Sequence, residues 1–216
     1  MKLEHVKPED IEKRSFEIIT EELERQGFHR DVTAKQLSVI KRCIHTTADF
    51  DYADTLCFSE DAVCIFQRLI KEGATVVTDT NMALSGINKR VLAGYGCDIR
   101  CFMADEDVAY EAEEKGVTRA SVSMSRAMNL PGSVIFVVGN APTALITLRE
   151  CYDSGVYTPA FVIGVPVGFV NVVAAKELIT ETDIPHIVNR GRKGGSNVAA
   201  AIVNALLYDM RAADRV

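Results

Sequence analysis

Apolar residues between Pro8 and Gln26 fall at Ile11, Phe16, Ile18, Ile19 and Leu23, mostly at helical spacing, which predicts an amphipathic helix. Pro8 suits its first turn and Gly27 its stop. A second helix is expected to begin after Asp31 or Thr33 and to carry Leu37, Ile40 and Ile44 on one face. A third, capped within Ser59-Glu60-Asp61, ends near Gly73. From there the period shortens. β-branched runs at Thr75–Thr78, Asp98–Phe102, Val134–Val138, Phe161–Val165 and His186–Asn189 read as strands. Helical patterns separate them near Ile87–Ala93, Asp105–Lys115, Arg119–Met128, Thr143–Ser154 and Asn171–Thr180, and a last helix runs Ser196–Met210.

Strands alternating with helices imply a mainly parallel sheet covered on both faces. The expectation is a three-layer, doubly wound α/β domain with a five-stranded sheet, flavodoxin-like in strand count and preceded by extra helices. A chain of 216 residues fits one large domain, and no Pro- or Ser-rich linker divides it, so residues 1–216 read as a single unit.

The net charge of −6 disfavours nonspecific binding to nucleic acid or anionic membrane, which require an extended basic surface. The start, Met1-Lys2-Leu3-Glu4-His5, is no secretory signal, and the apolar stretch Ala160–Ala175 is broken by Gly164, Pro166, Gly168 and Asn171. Six cysteines without a C-x-x-C pair indicate neither a zinc site nor a disulfide framework, and read as reduced core thiols. A cytoplasmic protein without a metal site is expected.

In open α/β sheets, ligands bind beyond the carboxyl ends of the strands. Those ends here read Asp79-Thr80-Asn81-Met82, Gly139-Asn140-Ala141-Pro142-Thr143, Val165-Pro166-Val167-Gly168-Phe169 and Arg190-Gly191-Arg192-Lys193-Gly194-Gly195-Ser196. The last places three cations and three glycines before a helix with free N–H groups, which suits a carboxylate or phosphate. It also reads as a basic, flexible connection. It is not a Walker motif, and no G-x-G-x-x-G follows a strand. Asn140 suits a helix N-cap or a ligand contact, and Asp79 and Asn81 suit turn positions. His45 lies three residues after Arg42 on one helix face, as a surface residue near the C-terminal dipole or as an acid working near neutral pH.

Taken together, these segments resemble the precorrin-8X methylmutases, including the cobalt-precorrin-8 methylmutases. The likeness is carried by Arg14-Ser15-Phe16 with Ile18-Ile19, Arg42-x-Ile44-His45, Asp79-x-Asn81-Met82 with Gly86, and Thr118-Arg119. It continues through Gly139-Asn140-Ala141-Pro142-Thr143-Ala144-Leu145, Pro166-Val167-Gly168-Phe169-Val170 and Arg190-Gly191-Arg192-x-Gly194-Gly195-Ser196. The resemblance implies a homodimer that moves a methyl group from C-11 to C-12 of a corrinoid, with no external cofactor. It implies His45 as catalytic acid, with Ser15, Arg42, Asn81, Arg119, Asn140 and Arg192 as contacts to a tetrapyrrole polycarboxylate. The charge pattern then fits, because single arginines and helix N-termini can hold separate carboxylates on an acidic protein. The overall similarity leans to the cobalt-containing substrate. A noncatalytic corrinoid carrier, or an enzyme of another polyanionic metabolite, are the alternative readings.

Overall fold

The computed structural model describes residues 4–214. A short 3₁₀ turn, Pro8–Asp10, leads into α1 (Ile11–Arg25), followed by α2 (Ala34–Thr47) and α3 (Tyr52–Thr55). Then come β1 (Leu56–Phe58), α4 (Ala62–Lys71), β2 (Thr75–Thr78), α5 (Asn81–Gly86), α6 (Lys89–Gly94) and β3 (Ile99–Arg100). The chain continues through α7 (Glu106–Lys115), α8 (Arg119–Ala127), β4 (Val134–Val138), α9 (Pro142–Asp153), β5 (Phe161–Gly164), α10 (Val172–Thr180), β6 (His186–Asn189) and α11 (Ser196–Ala213).

One sheet of six strands runs in the order β1-β6-β5-β4-β2-β3. The pairs β2–β3, β2–β4, β4–β5 and β5–β6 are parallel, and β1 adds to β6 antiparallel. Counted along the chain, the five parallel strands stand in the order 2-1-3-4-5. The sixth strand corrects the expected count of five. Leu56-Cys57-Phe58 is too short to show a period of two, and its place is fixed by pairing Leu56 with Asn189 and Phe58 with Ile187.

β4 is buried along its whole length, so its sequence shows no alternation, yet its side chains divide between two cores. Ile135 and Val137 join the cluster under α2, α4 and α11, while Val134, Phe136 and Val138 join the one under α8, α9 and α10. This is the three-layer arrangement expected. α11 packs against α2 and α5 through small residues. A Cβ at Gly86 would stand 2.9 Å from the Ala200 Cβ, so glycine lets these helices approach closely.

Local signals explain most boundaries. Thr33 caps α2 in a capping box with Gln36, which selects the later of its two possible starts. Ser59 does not cap α4; its hydroxyl accepts from the His186 N–H at 2.8 Å, and Asp61, at the cap position, makes no side-chain bond there. The predicted helix Ile87–Ala93 begins later, because Ile87 ends α5 and Asn88 caps a separate α6 by accepting from the Val91 N–H. Only Ile99–Arg100 of the second predicted run, Asp98–Phe102, pairs, as the far edge of the sheet. Cys43 and Cys97 are buried as expected, whereas Cys64 is exposed. No helix among the described residues is long and apolar enough to cross a membrane.

Candidate active site at the carboxyl edge of the sheet

The four loops leaving β2, β4, β5 and β6 are joined to one another. Asp79 is fully buried just past β2, and its carboxylate accepts from the N–H groups of Gly139 at 2.8 Å and of Asn140 and Ala141 at 2.7 Å each. Burial raises its pKa, and the three N–H bonds oppose the rise. This carboxylate fills the point between β2 and β4 where the strand order reverses, satisfying N–H groups of the loop that leads into α9. The Asn140 side chain, exposed, is therefore not the cap of α9; the N-cap position is Ala141, without a side-chain bond.

The Thr80 and Ser196 hydroxyls lie 2.7 Å apart, and a Cβ on Gly139 would come within 2.7 Å of the Ser196 Cα. The N–H of Gly195 bonds the Val165 carbonyl at 2.9 Å, and a Cβ on Gly194 would overlap that same carbonyl. Beneath the arginine-rich loop, the buried Lys176 ammonium donates to the Gly191 and Lys193 carbonyls at 2.8 Å each. Burial pushes its pKa down to about 8. The loop is thus held by hydrogen bonds at several points.

The second part of the site stands on α1 and α2. The His45 ring stacks on Phe16, with centroids 5.2 Å apart and planes inclined by 15°. One turn earlier on α2, the Arg42 guanidinium lies 4.7 Å from the Phe16 ring centroid and 5.8 Å from that of Tyr208. It also donates to Glu12 at 2.5 Å. Arg42, His45, Gly86, Asn197, Asn204 and Tyr208 line a cavity of about 320 Å³. Cavities of about 360 and 380 Å³ lie elsewhere, beside Arg90 and Asp214 and beside Thr33 and Cys64, so volume does not select the site. Chemistry does, because the His45 cavity adds a titratable ring and an arginine to the first turn of α11.

Lys193 ties the two parts together. Its ammonium reaches Asp49 at 2.6 Å and Asp51 at 2.5 Å, linking the arginine-rich loop to the segment that follows His45. Asn81 is the first residue of α5, exposed, with Thr80 doing the capping. Arg119, exposed, opens α8; the preceding Thr118 caps that helix and bonds Thr143 at 2.8 Å, which sets the starts of α8 and α9 side by side. Arg192 lies 5.7 Å from the Phe169 ring. Among the described residues neither Arg119 nor Arg192 forms an ion pair. Ser15 is half-buried on α1, and its hydroxyl donates to the Ile11 carbonyl at 2.9 Å. The fold therefore gathers Asn81, Arg119, Asn140 and Arg192 on the edge loops, with His45 and Arg42 on the adjoining helix. Among the described residues, no three His, Cys, Asp or Glu side chains are grouped to hold a metal ion.

Sequence reasoning missed the structural parts played by Phe16, Tyr208, Lys176 and Asp79. Phe16 and Tyr208 meet Arg42 and His45 only through the packing of α1, α2 and α11, and nothing in their spacing announces it.

The sequence profile described as precorrin-8X methylmutase matches residues 10–209. The chain belongs to the precorrin-8X methylmutase family. It is 45% identical over 208 residues to the cobalt-precorrin-8 methylmutase of Salmonella typhimurium, covering 95% of this chain and 97% of that one. It is 40% identical to the cobalt-precorrin-8 methylmutase of Priestia megaterium, covering 93% and 88%. The crystal structure of the Thermus thermophilus precorrin-8X methylmutase superposes with a TM-score of 0.80 at 35% identity, covering 95% of this chain and 98% of that one. Methylmutases are isomerases, and family membership makes this chain an isomerase that moves a methyl group within one molecule.

Proposed function

We propose that this methylmutase moves a methyl group from C-11 to C-12 of cobalt-precorrin-8 to give cobyrinate, a step in cobalamin biosynthesis. The observation that carries the mechanism is the His45 ring, held flat on Phe16 beside Arg42 at the mouth of the cavity. His45 donates a hydrogen bond or a proton to a corrin nitrogen beside the migrating centre and makes the conjugated system poorer in electrons. The bond from C-11 to the methyl breaks as the bond to C-12 forms. The formula of the substrate is unchanged, so no group carrier, hydride donor or other external cofactor enters. Acceleration comes from orientation and from charge stabilisation in a fixed frame.

Arg42, Arg119 and Arg192 each take a side-chain carboxylate of the tetrapyrrole, with Ser15, Asn81 and Asn140 as polar contacts. The N-terminus of α11 has no side-chain cap and adds N–H groups on the His45 side. Asp79 holds the loop that leads into α9 through the N–H groups of Gly139, Asn140 and Ala141. The names of the two cobalt-precorrin-8 relatives support the cobalt-containing substrate, and the Thermus relative keeps precorrin-8X as the second choice.

The fold is read as flavodoxin-like, because 2-1-3-4-5 is the strand order of that class. The enzyme works in the cytoplasm as a homodimer. Exposed Ile11 and Ile18 on α1, flanking Ser15, and exposed Met82, Phe169 and Val170 offer apolar surface beside the site for the partner and the ring face.

Purified protein mixed with cobyrinate is expected to form a tight coloured complex, and cobalt-precorrin-8 is expected to convert to it with a shift in the absorption spectrum. Tight binding without turnover would make the protein a carrier. Neither binding nor turnover, with either substrate, would overturn the assignment.

A further inference from the structure

Arg42 is clamped and its carboxylate partner is not. The guanidinium lies between the rings of Phe16 and Tyr208, and its side chain is 22% exposed. Glu12, which accepts its hydrogen bond at 2.5 Å, is 62% exposed on the first turn of α1. The neighbouring acids Glu17 and Glu21 are engaged with Arg14 instead. Arg42 is therefore presented to the His45 cavity already holding a carboxylate, and that carboxylate belongs to the protein.

We propose that Glu12 competes with a substrate carboxylate for Arg42 and so sets the affinity of the site for its polycarboxylate ligand. This rests on the assignment of Arg42 as a substrate contact. Glu12 occupies the Nη1 edge of the guanidinium, so a substrate acetate or propionate that takes that same edge at close range displaces Glu12. The exchange is inexpensive on the protein side. Arg42 keeps its place through the two rings, and the released Glu12 remains in the first turn of α1, where a negative charge interacts favourably with the helix dipole. Glu12 thereby weakens ligands that need Arg42 and leaves unaffected those that reach the cavity by apolar contact alone.

The test is a steady-state comparison of methyl migration by the full-length enzyme and its Glu12→Gln, Glu17→Gln and Arg42→Ala variants. Glu12→Gln is expected to lower KM about two- to fivefold, the range of an exposed ion pair, with kcat unchanged. The difference from wild type is expected to shrink as salt is added. Glu17→Gln removes the same charge from the same helix without touching Arg42 and is expected to leave KM unaltered. An unchanged or raised KM in Glu12→Gln would overturn the competition, as would an equal fall in Glu17→Gln, which would make the effect one of general charge. Arg42→Ala separates the two levels. A raised KM in Arg42→Ala beside an unimproved Glu12→Gln removes the competition and keeps the site, whereas an unaltered KM in Arg42→Ala removes Arg42 from the site and the proposal with it.

Discussion

The imidazole of His45 lies on the ring of Phe16, 5.2 Å between centroids and 15° from parallel. The contact joins α1 to α2 across 29 residues of sequence and fixes the plane in which His45 faces the cavity. The same Phe16 ring also carries the Arg42 guanidinium, so one side chain orients both the proposed acid and the proposed carboxylate contact.

Phe16→Leu keeps an apolar residue of comparable bulk and removes the flat platform. Stacked rings contribute about 0.5–1.5 kcal/mol beyond simple burial, so kcat is expected to fall about two- to tenfold while the protein stays folded. A stopped assay of methyl migration, paired with circular dichroism, measures both. An unchanged kcat would mean that His45 is oriented by the substrate alone.

The buried Asp79 carboxylate holds three N–H groups that begin the α9 segment. In Asp79→Asn an amide NH₂ replaces one acceptor oxygen and faces a donor. Leaving buried donors unsatisfied costs about 1–3 kcal/mol each, so a loss of several kcal/mol is expected in urea unfolding. A loss below about 0.5 kcal/mol, the level of an ordinary surface substitution, would show that the loop holds its shape without the carboxylate.

The sheet and its helices were legible because they rest on local signals. Each buried parallel strand is a β-branched run, Thr33 with Gln36 marks a capping box, and Gly27 takes a positive φ of 73° after α1. What escaped was non-local. β1 is visible only through its pairing with β6, and Asn140 has every local property of an N-cap, yet the cap position is Ala141 and a carboxylate from 61 residues earlier takes the Asn140 N–H. The site divides the same way. Its loops could be placed from strand ends, and His45 with Arg42 from helical spacing. The stacking on Phe16, the Tyr208 wall and the Lys193 link to Asp49 depend on how α1, α2 and α11 pack, which no short pattern encodes.

His186 is buried at the start of β6, where its Nδ1 lies 2.7 Å from the Ile184 carbonyl. Burial lowers its pKa below the ordinary 6.5, outweighing the opposing hydrogen bond. The folded state thus takes up the proton less readily than the unfolded state. Its contribution to stability is complete above about pH 6.5 and is lost as the pH falls through the folded value. Urea midpoints measured from pH 7.5 to 5 are expected to decline more steeply for wild type than for His186→Asn, which keeps a donor for Ile184 but cannot titrate. Parallel slopes would place the acid sensitivity elsewhere.

The central claim is that His45 acts on the reaction and not on binding, and His45→Ala tests it most directly. Single-turnover conversion of cobalt-precorrin-8 is to be measured beside the dissociation constant for cobyrinate, on protein shown to be folded. The expected result is a fall in the rate of methyl migration of about 10²-fold or more, the scale of a positioned acid, with product affinity changed by less than about threefold. Migration at close to the wild-type rate with normal binding would contradict the account, and would leave catalysis to the constraint of the substrate alone.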